Sequence, residues 1–208
     1  MHSHCNKFAM HSHCYDRRVP KQVDHEERRA EIDRVVWTII AEEGIAAVTL
    51  RAIAARGDIS MGRIQHYFPT RDAIVRHALT SYLALAERAH PLPDDPREAL
   101  TMLLTHAIPR DGARRLGAKV WYAYLAEAVT DPGLRAIVDE TLRGAEDLAT
   151  DLLDGDRDRA RALLAAADGF AYRALIGVVT ADEAETAVRD LAGPTPRRTR
   201  RPPDPTRG

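Results

Sequence analysis

The stretch GDISMGRIQHYF, residues 57–68, constrains this chain more than any other. It reads as a tight turn, Gly57-Asp58-Ile59, followed by a short helix that Ser60 caps and Pro69 ends. Only Ile64 and Phe68 are spaced to reach a core from that helix. The rest of it is polar or bare: Met61, Gly62, Arg63, Gln65, His66 and Tyr67. A second short helix precedes the turn, capped by Thr49 and running through Leu50, Ile53 and Ala54 to Gly57. Two such helices across a glycine-bearing turn, behind a longer supporting helix, make a helix-turn-helix.

The supporting helix is legible in the period of Ile32, Val35/Val36 and Ile39/Ile40, beginning at Asp24 and stopping at Gly44. A fourth helix is capped by Thr70, carries Asp72 against its dipole, and has the stripe Ile74, Ala78, Tyr82, Leu85, Ala89. PLPDDP, residues 91–96, then breaks the chain and marks a domain boundary. Beyond it helices are predicted over 97–108 and about 114–129, the latter buried around VWYAYLA. A helix starting at Pro132 follows, with the stripe Leu134, Ile137/Val138, Leu142, Ala145, Leu148/Ala149, Leu152. The run ARALLAAADGFAYRALIGVV forms another, with Ala166, Gly169, Ala174 and Gly177 as a face that another helix can approach, and a last helix spans about 182–192. No strand pattern stands out. The expected fold is all-α, with about nine helices: residues 24–90 form a helix-turn-helix domain with its linking helix, and 97–192 a helical second domain. Residues 1–23 and 193–208 lack an apolar period and read as disordered tails.

Composition narrows the function classes. Apolar residues make up 45% and charged residues 29%, the soluble globular range. No run of about 18 apolar residues occurs and no signal pattern opens the chain, so a cytoplasmic protein without a membrane span is expected. The net charge of −1 hides an uneven spread. Residues 1–90 carry +2 and residues 91–192 carry −7, so only the front suits a polyanion. There is no spaced nucleophile, base and orienter set and no phosphate loop, so catalysis is not expected and no cofactor is implied.

In a helix-turn-helix the second short helix enters the major groove of double-stranded DNA, N-terminal residues first. Without a side chain at Gly62, the helix start can approach the sugar-phosphate rail. Met61, Arg63, Gln65 and His66 can reach base edges or phosphates, glutamine being the type that reads adenine and arginine the type that reads guanine. Thr49, Tyr67 and Arg71 stand where neighbouring helix ends face the backbone, Arg51 joins them on the second helix, and Ser60 leaves free N–H groups at a helix start.

TLRAIAARGDISMGRIQHYFPTRDAIVRHAL resembles the DNA-binding signature of the TetR family of bacterial transcriptional regulators. Thr49, Ile59-Ser60-Met61-Gly62, Tyr67-Phe68 and Arg71 carry the resemblance, over roughly residues 28–75. Gln65 departs from it, because the family often has tyrosine there. The resemblance implies a C-terminal domain that binds a small-molecule effector, a homodimer formed through the last two long helices, and a repressor released from its palindromic operator by the effector. Candidates to line the effector site are Tyr82, Met102, His106, Trp121, Tyr122, Leu125, Asp168, Phe170 and Arg173. Asp168 and Arg173 would be costly to bury unpaired and can pair with each other, across a dimer, or with a ligand. An acid beside aromatics suits a cationic ligand. The repeated MHSHC near the N-terminus places His2, His4, Cys5, His11, His13 and Cys14 within reach of one metal. A metal-responsive regulator or a metal-binding helical protein is therefore the alternative. The repeat also reads as a small duplication around a start codon.

Overall fold

The computed structural model describes residues 21–193, with side chains from His25 onward. The MHSHC repeat and the basic tail from Pro194 lie outside the described residues. The first helix, α1 (Lys21–Glu43), starts three residues before the expected Asp24. Ile32, Val36, Ile39 and Ile40 are buried along it, as their spacing predicts. Gly44 ends it with φ +85°, a conformation that side chains resist, and its N–H returns to the Ile40 carbonyl at 3.0 Å. A single 3-10 turn over Ile45–Ala47, which the periodicity does not announce, leads into α2 (Leu50–Gly57), α3 (Met61–Tyr67) and α4 (Arg71–Ala89). Thr49, Ser60 and Thr70 each cap the helix that follows, accepting from the backbone N–H three residues on.

The C-terminal half consists of α5 (Pro96–Thr105), α6 (Gly112–Ala128), α7 (Pro132–Leu152), α8 (Arg157–Leu175) and α9 (Ala181–Ala192). Asp95, Asp111, Asp131 and Asp156 cap α5 to α8 in turn, and α9 starts on a reciprocal Thr180–Glu183 capping box. Part of the acidity of this half therefore sits at helix starts, against positive dipole ends.

Two cores result, and they do not divide at the proline-rich linker. The first joins α1 to α4 with Val120, Tyr124 and Ala128 of α6 and Leu134 and Val138 of α7. The second gathers Leu100, Leu104 and Ile108 with Ala149 and the inner faces of α8 and α9. The helix-turn-helix thus shares its core with the second half, a long-range packing that local periodicity does not carry. Polar bonds run along the same seam. Trp37 Nε1 donates to the Ala78 carbonyl at 2.9 Å, Tyr124 Oη to that of Val75 at 2.9 Å, and Tyr82 Oη to that of Gly117 at 3.1 Å. Asp33, 1% exposed, meets His77 Nδ1 at 3.1 Å. Arg76 lies over the first turn of α7: a β-carbon on Gly133 would stand 2.6 Å from its Nε, and its Nη2 is 3.6 Å from Asp131 Oδ1.

Burial pushes the Tyr82 hydroxyl up to about 12, and raises Tyr122 and Tyr124 as well. A folded-state value above the unfolded one of about 10 favours folding fully below that pH and is lost as pH rises through the folded value. Denaturant midpoints are accordingly expected to fall above about pH 10 in the wild type. Tyr82→Phe should flatten part of that fall, and an unaltered alkaline profile in the variant would remove Tyr82 from the cause.

Several expected burials fail, each for a geometric reason. Leu85 is 46% exposed and Ala89 is exposed, because α4 runs past the end of the first core. Leu142, 42% exposed, falls on the stretch of α7 that bridges the two cores. Val129, 68% exposed, lies beyond the last turn of α6. The small residues of α8 do not form one face. Ala174 turns into the second core, Gly169 is open, and Gly177 lies past the helix end with φ +80°.

Candidate nucleic-acid interface

The turn between α2 and α3 is tighter than its glycine suggests. Asp58, not Gly57, adopts the left-handed conformation, with φ +51°, and its N–H and that of Ile59 both return to the Ala54 carbonyl. Gly57 serves close packing instead: a β-carbon there would sit 3.0 Å from Ile59 Cδ1 and 3.1 Å from Val35 Cγ2. Asp58→Gly is expected to raise stability by about 0.5–1 kcal/mol by removing the left-handed penalty. Gly57→Ala should lower it, and equal melting points for both variants would contradict this division of roles. Arg56 pairs with Glu42 and Glu43, locking the end of α2 to the end of α1.

On α3 the inward residue is Ile64, fully buried, with Phe68 just past the helix end at 3% exposure. Ile53 and Ile59 complete this small core, as expected. Met61, Gly62, Arg63, Gln65 and His66 are all exposed. A β-carbon on Gly62 would meet nothing within 4 Å. The side chains of Arg51, Arg63 and Gln65 extend outward, and Ser60 Oγ accepts from the Arg63 N–H at 3.3 Å. Thr49 Oγ1 is occupied in part, accepting from Ala52 at 3.1 Å. Arg71 is occupied more fully. Its Nε donates to the Val48 carbonyl and its Nη2 to that of Ile45, each at 2.7 Å, so it braces the 3-10 turn from below. Half-buried Tyr67 packs edge-on against His66 and His25, ring centroids 5.1 and 5.2 Å away. His25 is the member of this surface that no motif announces.

The nine candidate effector residues do not gather at one place. Tyr82, Trp121 and Leu125 lie half-buried against the first core, with Tyr82 edge-on to Trp37. Tyr122 joins α6 to α8, its hydroxyl donating to the Asp168 carbonyl oxygen at 2.8 Å and its ring edge-on to Tyr172 at 5.2 Å. The Asp168 side chain opens onto the surface of α8, yet the helices behind it desolvate its carboxyl enough to push it above the usual range. No ion pair between Asp168 and Arg173 occurs among the described residues. Phe170 and Arg173 line a depression of about 210 Å³ on α8 with Ala166 and Gly169. His106 donates from Nδ1 to the Leu103 carbonyl at 2.8 Å and lies tilted beside His90, ring centroids 5.8 Å apart, while burial pushes its pKa down; Met102 is half-buried on α5. Since that carbonyl only accepts, Nδ1 of His106 carries the proton.

Residues 37–78 match the family described as bacterial regulatory proteins, tetR family, and residues 96–193 match the C-terminal region of BetI-type transcriptional repressors. The chain belongs to the TetR family. It is thus a DNA-binding transcriptional regulator of repressor type, and the all-α fold with its N-terminal helix-turn-helix is that of its relatives.

This TetR-family chain is 29% identical over 177 residues to the regulator PksA of Bacillus subtilis, covering 77% of this chain and 85% of that one. It is 30% identical over 124 residues to BetI of Paraburkholderia phytofirmans, covering 57% of this chain and 64% of BetI. Among solved structures, a transcriptional regulator of Rhodococcus, RHA1_ro04179, superposes with a TM-score of 0.73 at 27% identity, covering 79% of this chain and 94% of that one. Among the described residues no helix is long and apolar enough to cross a membrane. The helix-turn-helix match begins at Trp37, which leaves the first turns of α1 outside it.

Proposed function

We propose that this regulator acts in the cytoplasm as a homodimeric repressor that grips a palindromic operator with its two α3 helices in successive major grooves, and releases it when a small organic effector binds the helical half. Open Gly62 is the observation that carries the DNA contact. Among the described residues nothing crowds a side chain there, and glycine costs helix stability at that position, which favours an outside surface that the helix start must approach. Arg63, Gln65 and Met61 read base edges. His66, Tyr67, Thr49, Arg51 and the N–H groups behind Ser60 meet phosphates, and Arg71 chiefly holds the turn that presents Thr49.

The dimer is supported by the outer face of α8, where Ala162, Ala165, Gly169, Tyr172 and Ile176 are all exposed at helical spacing. The effector reading favours an organic cation beside Asp168, Tyr122 and Tyr172, whose acid and ring faces suit one. An effector that favours one placement of α4 shifts the spacing of the two DNA-reading helices, and the coupling is reciprocal. Selection of duplexes from random-sequence DNA, followed by fluorescence anisotropy across a salt series, tests this. Enrichment of a palindrome bound tightly and salt-sensitively is expected, with small organic cations then screened for release. Equal binding to all sequences would overturn the operator reading, and a monomer bound to half a palindrome would overturn the dimer.

A further inference from the structure

From His25 onward, the first buried residue of α1 is Ile32, so the turns that carry His25 to Glu31 run beyond the core. They are nevertheless tied down, and to one place. The His25 ring lies 5.2 Å from that of Tyr67 in an edge-on arrangement and 5.9 Å from that of His66. One turn on, the Arg29 guanidinium stands 5.6 Å from the centre of the Phe68 ring. Both contacts converge on the aromatic pair that closes α3, and both arise in a segment outside the family match, which begins at Trp37. The Tyr67 hydroxyl has no hydrogen-bond partner among the described residues, so its ring is held while its polar end stays available.

We propose that His25 is a positioning residue for operator binding: packed against Tyr67 from the first turns of α1, it holds that ring in the orientation from which its hydroxyl reaches a backbone phosphate. This rests on the reading of α3 as the helix that enters the groove. A tyrosine on an open surface loses rotamer freedom when it contacts DNA, and a ring already fixed by an edge-on neighbour loses less. Arg29 acts alike on Phe68 and keeps the last turn of α3 from shifting. Because phosphate contacts carry no base information, the effect falls on affinity and not on sequence preference.

The test uses the full chain and the operator duplex that the wild type selects from random-sequence DNA, followed by anisotropy, with melting points as the control for folding. His25→Ala is expected to weaken binding about two- to tenfold, the range of an edge-on aromatic pair, and equally on single-base variants of the operator. His25→Phe, which keeps a ring at the position, should return affinity to within about twofold of the wild type. In a Tyr67→Phe background His25→Ala should add nothing. Wild-type affinity in His25→Ala, or a loss that persists undiminished in the Tyr67→Phe background, would overturn the positioning role. If Arg63→Ala weakens binding while His25→Ala does not, this inference alone fails; if the wild type selects no sequence, the reading of α3 fails with it.

Discussion

Gly62→Leu is expected to leave the fold intact and to abolish operator binding. The two halves of that outcome have separate physical causes. Inside the protein the substitution meets no obstacle, since a β-carbon at Gly62 has nothing within 4 Å and the residue faces solvent. Glycine in a helix is about 0.8–1 kcal/mol worse than alanine, so the variant should melt at the wild-type temperature or slightly above it. Against DNA the same side chain occupies the space between the start of α3 and the sugar-phosphate rail. Holding the helix away would weaken every contact that Arg63 and Gln65 make, and losing two bidentate base contacts at about 1–3 kcal/mol each is a loss of about thirtyfold to about ten-thousandfold. Gly62→Ala should fall between. The measurement is a pair of curves, thermal melting and operator anisotropy, on the same samples. Retained operator affinity in Gly62→Leu would mean that the start of α3 does not approach DNA.

The contrast among three glycines explains what the sequence made readable. Gly57 is confined by Val35 and Ile59, Gly133 by the guanidinium of Arg76, and Gly62 by nothing within 4 Å among the described residues. From the letters alone all three are simply glycines near helix ends. Gly62 is legible as an open position because Arg63, Gln65 and His66 follow it, and such residues are not spaced to reach a core. The turn reads as Gly57-Asp58-Ile59, but the letters do not tell that Asp58 takes the left-handed conformation and Gly57 is confined, because that confinement comes partly from Val35 one helix away. Caps were legible for the same reason that this was not. Thr49, Ser60 and Thr70 bond within three residues, a range that local pattern covers. The joining of α6 to α1 through Val120 and Tyr124, and the packing of His25 on Tyr67, span tens of residues and leave no periodic trace. The candidate effector residues scattered for a related reason: apolar period identifies which residues turn inward on each helix, but not which inward faces meet.

Two neighbours on α3 should respond in opposite ways to the same substitution. Ile64 is fully buried in the core that joins α1 to α4 and fixes the angle of the reading helix. Ile64→Ala removes three carbons from a closed site that can collapse only partly, and is expected to cost about 2–5 kcal/mol of stability. For a domain of this size that is a drop of several degrees in melting temperature, with the DNA-binding loss following from the misplaced helix. Gln65→Ala, one residue on, removes an exposed side chain that makes no hydrogen bond among the described residues, and stability should stay within about 0.5 kcal/mol of the wild type. Its effect belongs to recognition: a loss of about 1–3 kcal/mol in discrimination at one base pair, if its amide reads adenine in a bidentate way. The two readouts keep the causes apart. Equal loss for Gln65→Ala on every operator variant would reduce Gln65 to a backbone contact. A large stability loss for Gln65→Ala, or none for Ile64→Ala, would mean that α3 is rotated from the orientation in which Ile64 faces the core and Gly62 faces the groove.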